Sequence, residues 1–177
     1  MLITNKFNLP EPVYNVLARD DYTKGGADLS ATEMLKPPQM RALRKKHEEE
    51  LTEDASERIY MLYGNMVHKI IELASTPSMQ LLSEQRFKVD FGGYTISGQP
   101  DALALDGSLL LDWKTAKVWS IILGSNVEDW KWQLNIYAWM LRRPHFILQE
   151  PDGEQGIRGG WRERPPLIIE KLQVTAF

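Results

Sequence analysis

The sequence predicts an α+β domain in which an antiparallel meander of strands lies between two long helices. Three observations predict this class. Apolar residues recur at helical spacing over residues 56–75, strand patterns separated by turn signals fill residues 84–114, and helical spacing returns over residues 127–143. The length of 177 residues fits one domain. We therefore expect a single domain over residues 1–177, with an N-terminal helical and extended segment over residues 1–55 and a core over residues 56–177.

The composition excludes several classes of protein. The chain carries 21 Lys and Arg against 24 Asp and Glu, a net charge of −3, and it has no cysteine. Zinc-thiolate sites, iron–sulfur clusters and thiol nucleophiles are therefore excluded. No apolar run approaches the ~20 residues that span a bilayer, and the N-terminus lacks the apolar core of a signal peptide. We expect a cytoplasmic protein without a membrane partner.

The N-terminal segment combines turn signals with two helix starts. Prolines and glycines in the first 30 residues predict extended chain and turns. Ser30, followed three positions later by Glu33, has the spacing of a capping box. The Pro37-Pro38 pair predicts the start of a second helix, which carries a basic cluster and is followed at once by an acidic run.

The first long helix is predicted from residue 56 to about residue 75. Asp54 with Glu57 is a cap signal, and apolar residues then recur three and four positions apart. These apolar residues are Ile59, Leu62, Tyr63, Met66, Val67, Ile70 and Leu73. His68 lies on this helix, with Gly64 one turn before it.

Three strands are predicted to follow. Phe87, Val89 and Phe91 alternate with polar residues over 84–91, and Gly92-Gly93 turns the chain back. A second strand is expected over residues 94–105 and a third over 109–114, joined by an Asp106-Gly107 turn. Beyond the second long helix, residues 144–166 are predicted to form a loop and residues 167–174 a last strand. Because the chain stops at Phe177, we expect the fold to continue beyond it.

Two aspartates and a lysine of the meander carry the main chemical signal. If the second and third strands pair around their turn, Asp101 and Asp112 lie roughly opposite each other, within reach of one hard cation. Lys114, two residues after Asp112, then lies on the same face and can hold a water poised on a phosphate. The alternative is a same-face ion pair on a solvated strand. The apolar neighbours Leu109–Leu111 argue against it, because charges among such residues lose hydration.

Four further residues are candidates for the same site. The alternative for His68 is a structural histidine at the edge of the core, and for Glu84 an exposed carboxylate at a strand end. Gln133 and Tyr137 are four residues apart on the second long helix, so both project from one face. The amide and the phenol can contact a phosphate or a water, whereas the alternative for Tyr137 is packing in the core.

In chain order, these residues match the motif series of a known superfamily. The series is His68, Glu84, Gly98-x-x-Asp101, Asp112-x-Lys114 and Gln133-x-x-x-Tyr137. It resembles that of the PD-(D/E)XK nucleases, and the histidine-bearing helix and the Gln-x-x-x-Tyr helix are most similar to the RecB-like exonuclease branch. The N-terminal segment also looks like that of small stand-alone members encoded by bacteriophages.

The resemblance implies a fold and a site. The fold would be a restriction-endonuclease-like core, a central mixed sheet flanked by helices. One Mg²⁺ or Mn²⁺ ion would be held by His68, Asp101, Asp112 and the backbone carbonyl of Trp113. Lys114 would position the attacking water, and Glu84 would serve a second ion or the water network. Gln133 and Tyr137 would contact Lys114 or the scissile phosphate.

The resemblance also implies an activity and partners. The expected function is metal-dependent hydrolysis of phosphodiester bonds from DNA ends, in the host cytoplasm if the protein is encoded by a phage. The expected partners are DNA and a single-strand annealing or binding protein. The chain has no cysteine for an iron–sulfur cluster and no phosphate-binding loop for a nucleotide.

Two alternatives to the exonuclease stay open: a structure-selective or site-specific endonuclease on the same core, and a catalytically silent nucleic-acid-binding module. DNA would approach a basic cluster in the N-terminal segment and Arg58. The cluster comprises Arg41, Arg44, Lys45 and Lys46. Its alternative is an exposed charged helix balanced by the glutamates that follow.

Overall fold

A computed structural model of the protein describes residues 1–19, 23–74, 81–104, 106–144, 146–149 and 160–177. It confirms the α+β class. The helices are α1 (Glu11–Ala18), α2 (Ala31–Met34), α3 (Pro38–Lys46), α4 (Ile59–Ala74), α5 (Val118–Ile122) and α6 (Val127–Leu141), with a 3₁₀ turn at Ala55–Arg58. The strands are β1 (Leu2–Thr4), β2 (Leu29–Ser30), β3 (Thr52–Asp54), β4 (Leu81–Ser83), β5 (Phe87–Phe91), β6 (Tyr94–Gly98), β7 (Ala102–Ala104), β8 (Leu110–Lys114), β9 (Phe146–Gln149), β10 (Trp161–Arg164) and β11 (Leu172–Ala176). No helix within the described ranges is long and apolar enough to cross a bilayer.

The strands form two larger mixed sheets and one small parallel pair. The five-stranded sheet has the order β10-β9-β5-β6-β2, the four-stranded sheet has the order β11-β8-β7-β4, and β1 pairs with β3. Within the larger sheets, β2/β6 and β8/β11 are parallel and the other pairs are antiparallel. The expected meander is therefore divided between two sheets.

The division falls at two breaks in the expected strands. The strand expected over residues 94–105 breaks after Gly98, because Pro100 has no N–H to donate to a ladder; Leu105 lies outside the described residues. The strand expected from Glu84 begins instead at Phe87, and Glu84 follows β4 with a left-handed backbone, φ 53°. The two breaks lie side by side, since the Glu84 N–H donates to the Asp101 carbonyl at 3.1 Å.

The core lies between the sheets and α6. This helix confirms the one expected over residues 127–143, and it packs on β8 and β11. Its buried apolar residues join those of β5, β7, β8 and β9 in one cluster. The cluster includes Phe87, Leu103, Leu110, Leu134, Tyr137, Met140, Leu141 and Phe146.

The N-terminal segment is more helical than expected. Residues 11–18 form α1, where extended chain and turns were predicted. The prolines explain the error, because Pro10 is the N-cap and Pro12 lies in the first turn, where a missing N–H costs no helical bond. The capping box of Ser30 and Glu33 and the helix start at Pro38 are both confirmed.

The C-terminal prediction was wrong in two places. The expected loop 144–166 contains β9 and β10, which pair with each other from Phe146↔Arg164 to Trp161↔Gln149; residues 145 and 150–159 lie outside the described part. The last strand is Leu172–Ala176, paired in parallel with β8, and does not begin at residue 167. Residues 167–171 form single backbone hydrogen bonds outside a strand ladder. One example is the bond from the Leu167 N–H to the carbonyl of Leu141, the last residue of α6.

Helix α4 is confirmed, together with its cap, but most of its apolar residues are exposed. The Asp54 carboxylate accepts from the Ser56 N–H at 3.1 Å, at the start of the 3₁₀ turn that leads into α4. No residue of α4 is fully buried. The half-buried residues, which include Gly64, Val67 and His68, form the inner side of the helix. The other side of α4, the helix that carries His68, is therefore apolar and exposed to solvent.

Candidate metal centre

Three potential metal ligands from three different elements meet at the breaks between the sheets. His68 on α4, Glu84 after β4 and Asp101 before β7 each offer a ligand atom, and these atoms all lie within 4.8 Å of one another. The His68 Nδ1 is 3.2 Å from the Asp101 Oδ1 and 3.6 Å from the Glu84 Oε1. Residues far apart in the sequence are thus brought together, as expected for His68 and Asp101.

Asp112 and Lys114 lie next to this group on β8. The pairing Ala102↔Leu111 puts Asp112 at the position adjacent to Asp101, as the turn geometry predicted. Asp112 is 2% exposed, and its Oδ2 lies 2.7 Å from the Lys114 Nζ. Burial raises the pKa of Asp112 to about 6, although the Lys114 ammonium opposes this. Asp112 is not one of the three residues of the group, and its carboxylate pairs with Lys114 instead. Glu84 is the third member of the group.

Trp113 contacts the site through its backbone N–H. That N–H donates to the Asp101 Oδ2, which leaves the Asp101 Oδ1 facing His68. The bond fixes the orientation of the carboxylate from the neighbouring strand. The expected role of the Trp113 carbonyl stays a prediction.

Gln99 is a site residue that the sequence analysis missed. Its side-chain amide donates to the Glu84 carbonyl and to the Glu84 Oε2, both at 3.0 Å, and its Oε1 accepts from the Arg86 guanidinium. Gln99 thereby holds Glu84 at the break after β4. The available signal was its place between Gly98 and Pro100-Asp101, where the strand pattern ends.

Gln133 and Tyr137 reach the site through Gln99. The Gln133 Nε2 donates to the Tyr137 hydroxyl at 2.9 Å, and that hydroxyl donates to the Gln99 carbonyl at 3.3 Å. Both side chains are buried, so the packing role that was the alternative for Tyr137 is present as well. Their expected contacts with Lys114 or a phosphate stay predictions.

Two glycines permit close packing around these residues. A Cβ at Gly98 would lie 2.9 Å from ring atoms of both Phe87 and Tyr137. A Cβ at Gly64 would lie 3.1 Å from the Thr115 Oγ1, so α4 passes close to the end of β8. The glycines therefore allow α6 and α4 to approach the two sides of the site.

Arg58 was wrongly assigned to DNA contact. It is 8% exposed, its Nε pairs with the Glu53 Oε2 at 2.9 Å, and its Nη1 donates to the Leu17 carbonyl at 3.0 Å. A guanidinium so enclosed connects α1 to the start of α4 and is not available to phosphates. In the basic cluster on α3, Arg41 is half-buried, whereas Arg44, Lys45 and Lys46 are exposed; DNA binding there stays a prediction.

The residues of the group have the chemistry of a metal site. Imidazole nitrogens and carboxylate oxygens are both common ligands of divalent cations, and the nearby Asp112 adds a third carboxylate. Like charges so close together repel one another unless a cation or proton is present. In the metal-free protein that proton is on His68, because hydrogen bonds to Asp101 first and then to Glu84 raise its pKa to about 10.

The raised pKa predicts a pH dependence of the metal-free protein. The folded-state pKa lies above the value of 6.5 for a free imidazole, so the stabilisation by protonated His68 is complete below pH 6.5 and is lost as the pH rises toward 10. In chelator, we expect the melting temperature to fall by about 5 °C across this window. Thermal denaturation at pH 6.5, 8 and 9.5 measures it.

The His68→Gln variant is the control for this prediction, because other groups also titrate above pH 9. Its melting temperature should change less with pH than that of the wild type. Added Mn²⁺ should reverse the wild-type loss, since metal binding needs the neutral imidazole. Parallel curves for the two proteins would contradict the assigned partners of His68.

Removing the Gln99 amide should weaken metal binding without removing a ligand. In Gln99→Ala, Glu84 loses a donor that orients its carboxylate, and such supporting contacts are worth about 10- to 100-fold in metal affinity. Calorimetric titration with Mn²⁺ measures the change. Gln85→Ala is the matched control, because the Gln85 amide donates to the Ser83 carbonyl at 3.4 Å. Equal affinities for the two variants would remove Gln99 from the site.

Comparison with known proteins shows distant structural similarity alone. No protein-family model matches the sequence, and no curated protein sequence matches it. The structure is similar to the crystal structure of SSO0001, with a TM-score of 0.49 and 19% sequence identity, over 89% of this chain and 75% of that one. A similarity of this degree assigns neither a family nor a function.

Proposed function

We propose that the protein is a Mg²⁺- or Mn²⁺-dependent DNA exonuclease of the PD-(D/E)XK type. The observation that carries the proposal is the grouping of His68, Glu84 and Asp101 within 4.8 Å, beside the ion pair of the buried Asp112 with Lys114. The order of these residues along the chain, which resembles that of the RecB-like branch, supports it further.

The residues of the site have two roles: some are ligands for the cation, and Lys114 positions the attacking water. His68, Glu84 and Asp101 would hold the cation, and Asp112 adds a further carboxylate beside them. A bound cation would polarise a phosphoryl oxygen and neutralise the charge that develops on it. The Lys114 ammonium, placed by its contact with Asp112, donates to the attacking water and stabilises negative charge on the phosphate.

The supporting residues keep this arrangement rigid. Tyr137 and Gln133 hold the backbone of Gln99, and Gln99 holds Glu84. The Trp113 N–H fixes Asp101. Each ligand outside α4 is thus held by a hydrogen bond, as precise placement of a reacting phosphate requires.

The test is a cleavage assay on three DNA substrates. End-labelled linear duplex, covalently closed circular duplex and single-stranded DNA are each incubated with Mg²⁺, Mn²⁺ or chelator. We expect metal-dependent release of nucleotides from the linear substrates and no cleavage of the circle. Cleavage of the circle would assign an endonuclease instead. Absence of cleavage from every substrate, with no Mn²⁺ bound in calorimetry, would favour the silent nucleic-acid-binding module.

A further inference from the structure

A cavity of about 470 Å³ opens beside the candidate metal centre. Residues of α4, the segment after β8, the loop before α6 and the end of the chain line it. The lining includes Tyr60, Tyr63, Thr115, Lys117, Asn126 and Phe177. The cavity is of the size that binds small molecules or single residues of a polymer.

Two tyrosines of α4 present their rings to this cavity. Tyr60 and Tyr63 are three residues apart, so they are neighbours on the helix surface, and they are 69% and 62% exposed. Exposed aromatic rings that adjoin one another favour a ligand with flat apolar faces. Nucleobases have such faces, and every base can stack on an aromatic ring.

A cation lies among these rings. The Lys117 Nζ is 4.8 Å from the centre of the Tyr60 ring, and no carboxylate of the described residues forms a salt bridge with Lys117. The combination of aromatic rings with an unpaired cation is typical of sites that bind single-stranded nucleic acid, where rings stack on bases and cations contact the backbone. A purely apolar protein partner would leave that ammonium without compensation.

The cavity adjoins the end of β8 and the part of α4 that precedes His68. Thr115, which lines it, directly follows Lys114 and lies against Gly64, one turn from His68. Tyr60 precedes Gly64 by about one helical turn, and Gly64 precedes His68 by about one more, so the three follow one another along α4.

We propose that this cavity binds unpaired nucleotides of the DNA strand next to the phosphate that is cleaved. Tyr60 and Tyr63 stack on the bases, and Lys117 contacts the backbone. The inference rests on the proposed function for its substrate, DNA. It adds that the strand is single where it enters the cavity, because a paired base does not offer its face to a protein ring.

Binding in the absence of metal tests the inference separately from cleavage. Fluorescence polarisation in chelator compares a labelled thymidine oligonucleotide with an oligomer of the same length that has the sugar–phosphate backbone and no bases. We expect the wild type to bind the thymidine oligonucleotide about tenfold more tightly than the abasic oligomer. Tyr63→Ala and Tyr60→Ala should each lose most of this difference, while binding of the abasic oligomer is unchanged.

Two further variants sharpen the test. Trp132→Ala is the matched control, because Trp132 is an aromatic residue of α6, 60% exposed and outside the cavity lining, and its removal should leave the base-dependent affinity unchanged. Lys117→Ala should reduce the slope of log affinity against log salt by roughly one for both oligomers.

The outcomes separate this inference from the proposed function. Equal wild-type affinity for the two oligomers would overturn the inference, whatever the cleavage assay shows. So would a Tyr63→Ala protein that keeps its affinity for thymidine and loses self-association in sedimentation, because the rings would then form an interface between copies. Base-dependent binding without metal-dependent cleavage would support nucleotide binding in the cavity and would reject the proposed function.

Discussion

Lys114→Ala is expected to reduce DNA hydrolysis by about 100- to 1000-fold or more while the protein still folds and binds Mn²⁺. Removal of one preorganised donor to a reacting oxygen costs this much in a well-studied hydrolase. The fold should survive because Asp112 can take up a proton. Burial already raises its pKa to about 6 beside the lysine, and loss of the ammonium should raise that pKa further.

Single-turnover cleavage of end-labelled linear DNA at saturating Mn²⁺ measures the effect of Lys114→Ala. Lys131→Ala is the control, because Lys131 also forms a 2.7 Å ion pair with a carboxylate, that of Glu128, but on the exposed side of α6. The control should cleave at the wild-type rate. A Lys114→Ala protein that retains cleavage would refute the role of this lysine and weaken the proposed function.

Asp101→Asn is expected to remove both ion binding and cleavage, with a loss of Mn²⁺ affinity greater than the roughly 100-fold upper range for a supporting residue. The carboxylate has two roles in the structure: its Oδ1 faces His68 and its Oδ2 accepts from the Trp113 N–H. Asparagine retains an oxygen for Trp113, so the strand pairing should persist. It places no negative charge beside the imidazole, and the pKa of His68 should fall.

Calorimetry with Mn²⁺, the cleavage assay and thermal denaturation together test Asp101→Asn. The matched control is Asp106→Asn, since the Asp106 carboxylate also accepts a backbone N–H, that of Ser108 at 2.8 Å, but in an exposed turn. We expect the control to bind Mn²⁺ like the wild type. Undiminished Mn²⁺ affinity in Asp101→Asn would show that the group of His68, Glu84 and Asp101 is not the ion site.

The sequence predicts the two long helices, α4 and α6, and the antiparallel pairs β5/β6 and β7/β8, because their signals are local. The cap of Ser30, the start at Pro38 and the periodic apolar residues of α4 and α6 act within a few residues, and each of these elements is confirmed. The division into two sheets was not predicted, because period-two alternation is the same whether or not a strand changes its partners. Only the position of Pro100 indicated a break.

The candidate site was predicted in part. The juxtaposition of Asp101 and Asp112 follows from antiparallel register, which a short turn determines. The approach of His68 depends on how α4 packs, which no local signal gives. Gln99 and Arg86 were missed because they contact each other across the two points where the expected strands are interrupted, and no local pattern places those points side by side. Arg58 was misassigned because charge alone does not distinguish an exposed arginine from one buried against Glu53.

The hydrogen bond from the Trp113 N–H to Asp101 makes the backbone of β8 a reporter of the site. An amide proton held by a carboxylate exchanges with solvent slowly while that carboxylate is charged and in place, and faster when it is protonated or displaced. The Trp113 resonance in a hydrogen-exchange spectrum should therefore follow the state of Asp101 without any probe being attached. The charge and position of Asp101 can thus be followed at a single backbone position, in the intact protein and without DNA.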